Sequence, residues 1–347
     1  MATARGYAVL EPKAELVPFT FERREPRAGD VEISISHAGI CHSDIHQGRE
    51  EWGQALFPMV PGHEIVGTVT RIGSSVSKFR VGQRVGVGVF IDSCRQCENC
   101  RAGLQQYCFE GMTGTYNTKE RDGATVAYGG YSNLIVVDEN YAVDVPESLD
   151  VNGVAPLMCA GITLFSPLRH WQAGPGKKVG IIGLGGLGHM GLKFAHAMGA
   201  DVTIFSHSDK KKADAFAMGA NSFVANPDDE YFKKNGNTFD LILNTVSVDV
   251  NLENYLSLLR LDGTLVLIGL PGKPYQVPAG VLLGKRRRLA GSMIGGVPEL
   301  QDMLYFCAEK KITSDVEVIE PSYINKAWER TVASDVKYRF VIDSTKF

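Results

Sequence analysis

Long apolar runs are missing from this sequence. The most apolar stretches, such as VGIIGLGGLG (179–188), are short and broken by glycine, which excludes an ordinary membrane-spanning helix. The opening MATARGYAVLEPKAEL has no apolar core of the kind a secretory leader carries. A basic excess is missing too. Lys and Arg number 36 against 39 Asp and Glu, a net charge of −3, so neither nucleic acid nor an anionic membrane surface is an expected partner. There is no internal repeat and no low-complexity segment. What remains is ordinary globular composition, 44% hydrophobic and 22% charged, in 347 residues, a length that suggests about two domains. The expected location is the cytoplasm.

Cysteine is sparse, yet four of the seven residues fall within DSCRQCENCRAGLQQYC (92–108). Disulfides rarely persist in a reducing compartment, so such a cluster points to metal or redox chemistry. Cys94, Cys97, Cys100 and Cys108 are spaced C-x2-C-x2-C-x7-C. Four thiolates on a short loop can close a tetrahedral shell around Zn²⁺ at about 2.3 Å per bond, leaving no position for water or substrate. The loop has little but Leu104 and Tyr107 to bury, so metal binding replaces a missing core. The common iron–sulfur run has a last spacing of three and a following proline. Here the spacing is seven with no proline. Four thiols without metal is the remaining alternative.

Two patterns of residue use divide the chain. Residues 1 to about 150 carry short runs such as VEISIS (31–36), IVGTVTRIG (65–73), RVGVGVFI (84–91) and YSNLIVVD (131–138), separated by turns. They predict a lobe of short antiparallel strands. From about 176 the rhythm is strand, helix, strand: KKVGIIG (177–183), a helical 186–200, DVTIF (201–205), a helical 210–220, then FDLILNTV (239–246) and GTLVLIGL (263–270). This alternation predicts a parallel sheet with helices on both faces. Helical patterns at 299–312 and 325–333 precede a last strand, KYRFVID (337–343).

Three cysteines lie outside the loop. Cys41 opens CHSDIH (41–46), Cys159 lies in PLMCAGIT (156–163), and between them VPGHEIVG (60–67) carries His63 and Glu64. Two thiolates and an imidazole make the Cys2His set of a catalytic zinc with its fourth position open. Each residue alone reads more readily as core packing than as a ligand. Cys307, within MLYFCAEKK, is expected to be a buried thiol.

Gly183-Leu-Gly185-Gly186-Leu187-Gly188 matches G-x-G-x-x-G, follows a predicted strand and opens a predicted helix. That context suits a dinucleotide, with glycines for the tight turn and the helix N-terminus facing the pyrophosphate. An NAD site carries an acidic residue about 20 residues on, to grip the ribose 2′-hydroxyl. Here Ser206 takes that place, followed by His207, Ser208, Asp209 and Lys210, Lys211, Lys212. Hydroxyls and lysine suit a 2′-phosphate, so NADP(H) is the expected cofactor. Asp209 is the residue that opposes it, and a solvated helix start is the alternative for the lysines.

In order, CHSD, GHE, the four-cysteine loop, C-A-G-x-T and GLGGLG resemble the zinc-dependent medium-chain alcohol dehydrogenases. HMGLKFAHAMGA, AGSMIGG (290–296) and DVKYRFVID (335–343) resemble their cinnamyl alcohol dehydrogenase branch, which includes bacterial broad-specificity aldehyde reductases. The resemblance implies an α/β chain with a GroES-like β-rich catalytic domain at 1–153 and 296–347, holding both zinc sites. A Rossmann domain, a doubly wound parallel sheet, is implied at 154–295, with the active cleft between the two. It implies two Zn²⁺ per chain, NADP(H), a homodimer, and hydride transfer between the cofactor and an aldehyde/primary alcohol pair, mainly as aldehyde reduction.

Residue by residue, it implies Cys41, His63 and Cys159 as ligands of the catalytic zinc, Glu64 as an alternating fourth, and Asp44 as the acceptor behind His63. It implies a proton relay through Ser43, the cofactor ribose and His46. His42 and Arg339 are placed near the pyrophosphate, Thr163 beside the nicotinamide, and Ser206, Ser208 and Lys211 on the 2′-phosphate. The role of His207 is open, since the plant pattern has serine there. Trp52, Phe57, Phe90, Met293 and Ile294 are candidates for an apolar slot taking aromatic or medium aliphatic aldehydes, with core packing the alternative for each. Two other functions compete: a metal-stabilised nucleotide-binding redox sensor, which has no need of Ser43 and His46, and a zinc polyol dehydrogenase, whose branch commonly has a carboxylate in place of Cys159.

Overall fold

A computed structural model describes residues 2–347. The chain divides into two compact units, Met1–Ile162 with Ile294–Phe347, and Thr163–Met293. The first junction lies later than the expected 153. The reason is the turn Ala155–Met158, whose Met158 packs so closely on the strand Arg84–Val87 that a methyl on Gly86 would meet its Sδ at 2.7 Å. Cys159 therefore travels with the first unit. The second junction falls at 293/294, just ahead of the expected 295/296.

The first unit opens with a hairpin, Ala2–Val9 against Leu16–Arg23, a pair that sequence alternation does not single out because Pro18 and exposed polar residues interrupt it. Among the described residues its main sheet runs Ala142–Asp144, Arg84–Val87, Ile65–Ile72, Asp30–Gly39, Arg339–Asp343, Val316–Ile319, with Leu134–Asp138 also pairing Asp30–Gly39. All pairings are antiparallel except the last two strands, which are parallel. Val31, Ile33, Ile35, Ile65, Val69, Val85 and Val87 fill one core. They are β-branched residues that sit well on a half-buried pleated surface. The run 84–91 is broken into two strands, Arg84–Val87 and Phe90–Asp92. The strand Arg339–Asp343 pairs with Asp30–Gly39 (Val341 opposite Gly39), so the chain returns to its first unit after the second is complete.

The second unit is a six-stranded sheet in the order Ser222–Ala225, Asp201–Ser206, Lys178–Ile182, Phe239–Asn244, Leu259–Leu267, Arg288–Gly291, parallel throughout. Val179, Ile181, Val202, Ile204, Ile242, Leu243, Leu265 and Val266 are buried. Such near-continuous apolar runs mark strands covered on both faces. The chain winds outward from Lys178–Ile182 in one direction and resumes beside it at Phe239–Asn244 in the other. That reversal makes a crevice at the strands' carboxyl ends, where open α/β sheets bind ligands. The glycine run 183–188 emerges there.

No single helix among the described residues is long and apolar enough to cross a membrane. The bent pair Val151–Met158 and Ala160–His170 qualifies by length and composition only, and most of its residues are buried in the fold.

Gly188 opens the helix Gly188–Ala197 against the end of the first parallel strand. A methyl on it would meet Gly183 O at 2.0 Å, so the backbone would have to move. Gly188→Ala is expected to destabilise the second unit by about 1–3 kcal/mol, read as a lowered calorimetric midpoint. Gly272→Ala, whose methyl meets nothing within 4 Å, serves as the reference that should not shift it.

Candidate active site

Four buried donors converge in the first unit. Cys41 is the N-cap of the helix His42–Gly48. His63 and Glu64 immediately precede the strand Ile65–Ile72. Cys159 follows the turn Ala155–Met158 and precedes the helix Ala160–His170. One ligand atom from each of Cys41, His63, Glu64 and Cys159 lies within 4.8 Å of the other three, and all four residues are buried. Asp44 sits behind them, fully buried. Its Oδ1 accepts from His63 Nδ1 at 3.0 Å and its Oδ2 from the Cys41 N–H at 3.0 Å. A His whose Nδ1 is committed to a carboxylate presents Nε2 as its metal-binding nitrogen.

The electrostatics of this cluster divide, easing one thiol toward its thiolate and the other donors toward their protonated forms. The hydrogen-bonded Cys159 pulls the Cys41 thiol well below its usual range, against burial, with help from His63 and Arg339. The same contact, burial and the charges of Cys41 and Glu64 push Cys159 well up. Burial works against a charged His63, but the Asp44 carboxylate and Cys41 outweigh it and hold the imidazole well above its usual value. Burial raises Glu64 to about 7 despite Arg339. Two thiols and an imidazole thus stand in one buried shell with one of the thiols readily ionised. That is the donor chemistry of a zinc site with an open fourth position.

Arg339, which the resemblance places near the pyrophosphate, is held here by Glu64. Its guanidinium is buried and donates to both Glu64 carboxylate oxygens at 2.6 and 2.7 Å and to Ile40 O at 2.7 Å. Burial disfavours its charge, but Glu64, Cys41 and Cys159 outweigh that and keep it firmly protonated.

On the helix after Cys41, Ser43 Oγ lies 3.5 Å from Cys41 Sγ. The rings of His42, His46 and Trp52 stack, with centroids 4.8 and 4.7 Å apart. Glu51 contacts His46 Nδ1, a partner that sequence reading missed because two adjacent glutamates look like a solvated turn. Burial lowers His42, and the neighbouring His46 adds to the effect.

The second cluster is the cysteine loop. The Cys94, Cys97, Cys100 and Cys108 sulfurs also lie within 4.8 Å of one another, and none is in a disulfide. Main-chain N–H groups point at them: Cys97 N to Cys94 Sγ at 3.3 Å and Cys94 N to Cys108 Sγ at 3.4 Å. Backbone N–H donors at Phe109 and Cys100 bring the Cys97 thiol down to about 6. Burial pushes Cys100 up to about 11. Four sulfurs in one shell suit a closed, structural zinc. Cys307 is elsewhere, fully buried in the helix Val297–Lys310.

In the second unit Gly183 has φ +92°, the backbone that a tight turn needs and glycine supplies. Gly185 and Gly186 form the turn, Leu187 caps the helix, and Gly188 begins it. Ser206 ends the strand Asp201–Ser206, its Oγ accepting from Ser208 N–H at 3.3 Å. Lys211 Nζ reaches back to Leu184 O at 3.0 Å, joining the serine turn to the glycine run. His207 and Asp209 are exposed. These groups fit a nucleotide with an added phosphate: hydroxyls and an ammonium stand where a ribose-gripping carboxylate would. Thr163 is buried on the first turn of Ala160–His170.

The five candidates for the substrate slot do not form one group. Phe90 and Ile294 are buried and line a cavity of ≈ 10 Å³ with Met158 and Ile162, room for about one water. Phe57 packs on the core around Met59 and Tyr131. Trp52 is half exposed over His46, and Met293 belongs to the second unit. Core packing, the alternative weighed for each, describes Phe90, Ile294 and Phe57.

Residues 27–147 match the alcohol dehydrogenase GroES-like domain family and residues 186–309 the zinc-binding dehydrogenase family. The chain is 57% identical over 345 residues to NADP-dependent alcohol dehydrogenase C 1 of Mycolicibacterium smegmatis, covering 99% of each chain. It is 51% identical to the aldehyde reductase YahK of Escherichia coli, covering 98% of each. A solved cinnamyl alcohol dehydrogenase from Sorghum bicolor superposes with a TM-score of 0.95 at 42% identity, over 99% of this chain and 98% of that one. The fold, the buried two-thiol and imidazole cluster and these likenesses lead to one assignment: the chain belongs to the zinc-binding medium-chain alcohol dehydrogenases, in their cinnamyl alcohol dehydrogenase branch.

Proposed function

We propose that this protein is an NADP(H)- and zinc-dependent reductase of aldehydes to primary alcohols, acting on aromatic and medium aliphatic substrates and running in reverse as an alcohol dehydrogenase. The observation that carries this reading is the buried Cys41–His63–Glu64–Cys159 cluster, in which three donors suit a metal ion and the carboxylate is held back by Arg339. The names of the relatives, an NADP-dependent alcohol dehydrogenase and an aldehyde reductase, support the cofactor and the direction.

Cys41, His63 and Cys159 would hold the catalytic zinc, and Cys94, Cys97, Cys100 and Cys108 a second, structural one. When bound, zinc in the first position would supply Lewis acidity and NADPH a hydride. The protein's own part in the reaction is to deliver one proton to the carbonyl oxygen. Ser43 Oγ–H would give that proton; the resemblance puts the cofactor ribose between Ser43 and His46, whose imidazole would exchange protons with solvent. Glu51 on His46 Nδ1 orients the ring and leaves its other nitrogen for the relay. Glu64, within 4.8 Å of the other three donors, would serve as an alternating ligand, its carboxylate held meanwhile by Arg339. The glycine run would seat the pyrophosphate, with His42 and Thr163 near the cofactor. Ser206, Ser208 and Lys211 would hold the 2′-phosphate.

The homodimer and the cytoplasmic location are part of the same proposal. The parallel sheet ends in the edge strand Arg288–Gly291, with Leu270 and Leu283 exposed, an open edge and apolar surface of the kind a second copy covers. All seven cysteines are free thiols, the state a reducing compartment maintains. Sedimentation is expected to give twice 37.8 kDa, with a monomer as the contrary result, and fractionation of the source cells checks the compartment.

Three further outcomes are expected. A panel of aldehydes should be reduced with NADPH in preference to NADH by protein that carries two zinc ions per chain, and Ser206→Asp should cut that preference by at least about tenfold through like-charge repulsion. Protein that turns over aldehydes with zinc only in the cysteine loop would sink the reading. Ser43→Ala should slow turnover by roughly 10²–10⁴-fold with zinc content intact, whereas an unchanged kcat removes Ser43 from the relay.

A further inference from the structure

The Asp44 carboxylate has four donors, and one comes from outside the segments that carry the ligands. Oδ1 accepts from His63 Nδ1 at 3.0 Å and from Gly62 N–H at 3.2 Å. Oδ2 accepts from Cys41 N–H at 3.0 Å and from the Tyr131 hydroxyl at 3.1 Å. The first three tie the carboxylate to residues 41 and 62–63. Tyr131 is the third point, and three points fix the plane of a group whose own torsion is soft.

Tyr131 is itself firmly placed. Its N–H donates to Pro61 O at 2.9 Å, and that of Gly130 to Gly62 O at 2.8 Å. Gly62 has φ +103°, and a methyl there would meet the Tyr131 ring at 2.6 Å. The Trp328 indole N–H donates to the Tyr131 oxygen at 3.3 Å, with the rings edge-on at 6.5 Å. Behind this stretch the buried Arg23 guanidinium donates to the carbonyls of Tyr128, Gly129 and Leu134 and to Ser132 Oγ. The result is a directed chain, indole N–H to phenol oxygen and phenol O–H to carboxylate, in a dry interior where each bond polarises the next.

We propose that Tyr131, held by Trp328, is a positioning residue for the reaction: through Asp44 it fixes the rotation of the His63 ring and so the grip of Cys41, His63 and Cys159 on their metal ion. Without the hydroxyl, Oδ2 keeps only the Cys41 N–H, and the carboxylate can turn away from the geometry that presents His63 Nε2. The proposal rests on the zinc reading above.

Release of zinc from the full-length, zinc-loaded protein to a chelating dye tests it. The parent is expected to release metal in two phases, one per cluster, and loss of one phase in Cys41→Ser identifies the catalytic one. Tyr131→Phe should speed that phase by about tenfold, the usual scale for a partner behind a metal-binding histidine, and leave the cysteine-loop phase alone. Trp328→Phe should speed the same phase less, by about threefold, being one bond further out. Unaltered release in folded Tyr131→Phe overturns the proposal. So does equal acceleration of both phases, which is what general loosening gives. If Tyr131→Phe does not fold, Trp328→Phe decides on the same two criteria. Failure of the zinc reading gives a different result: a parent with a single phase, from the cysteine loop.

Discussion

Two thiols, an imidazole and a carboxylate share one buried volume in the first unit, and the surrounding structure answers to their negative charge. Burying even one such charge without a partner is costly. Here Arg339 sits against Glu64, His63 leans on Asp44, and only one of the two thiols ionises readily. A buried set of donors of this kind is one that could hold a metal ion. It also explains why the segments bearing Cys41, His63, Cys159 and Arg339 must all be held by the same unit, although they are far apart in the chain.

The scaffold around the cluster is built for close approach rather than for bulk. Gly62 leaves room for the Tyr131 ring, and Gly39 for the Glu64 carboxylate, which a methyl would meet at 2.0 Å. The second unit uses the same device at Gly183, where a methyl would meet Val246, and at Gly188, where it would meet Gly183 O. In both units bared backbone lets a neighbouring group come close.

Much of this was legible from residue spacing. The strand–helix alternation after 176 gave the parallel sheet, because strands buried on both faces read as apolar runs such as VGIIG and FDLIL. The cysteine loop and the order of CHSD, GHE and CAG marked both clusters, since thiol and imidazole are rare enough for their pattern to carry information. The opening hairpin was missed because Leu16–Arg23 buries too few of its residues to alternate cleanly. Glu51, Tyr131 and Trp328 were missed for another reason. Their roles depend on one hydrogen bond each, to partners that are 5, 87 and 197 residues away, and composition holds no trace of such a bond. Arg339 was noticed through the resemblance, but its pairing with Glu64 was not.

The return of the strand Arg339–Asp343 to pair with Asp30–Gly39 orders events during synthesis. The second unit is one unbroken stretch, Thr163–Met293, and can close as soon as it has left the ribosome. The first unit must wait. Until Arg339 emerges, Glu64 has no guanidinium beside it and the central sheet has an open slot at Asp30–Gly39. The nascent protein therefore holds Cys41 and Cys159 in an unfinished wall while the parallel-sheet unit downstream of them is already complete in sequence.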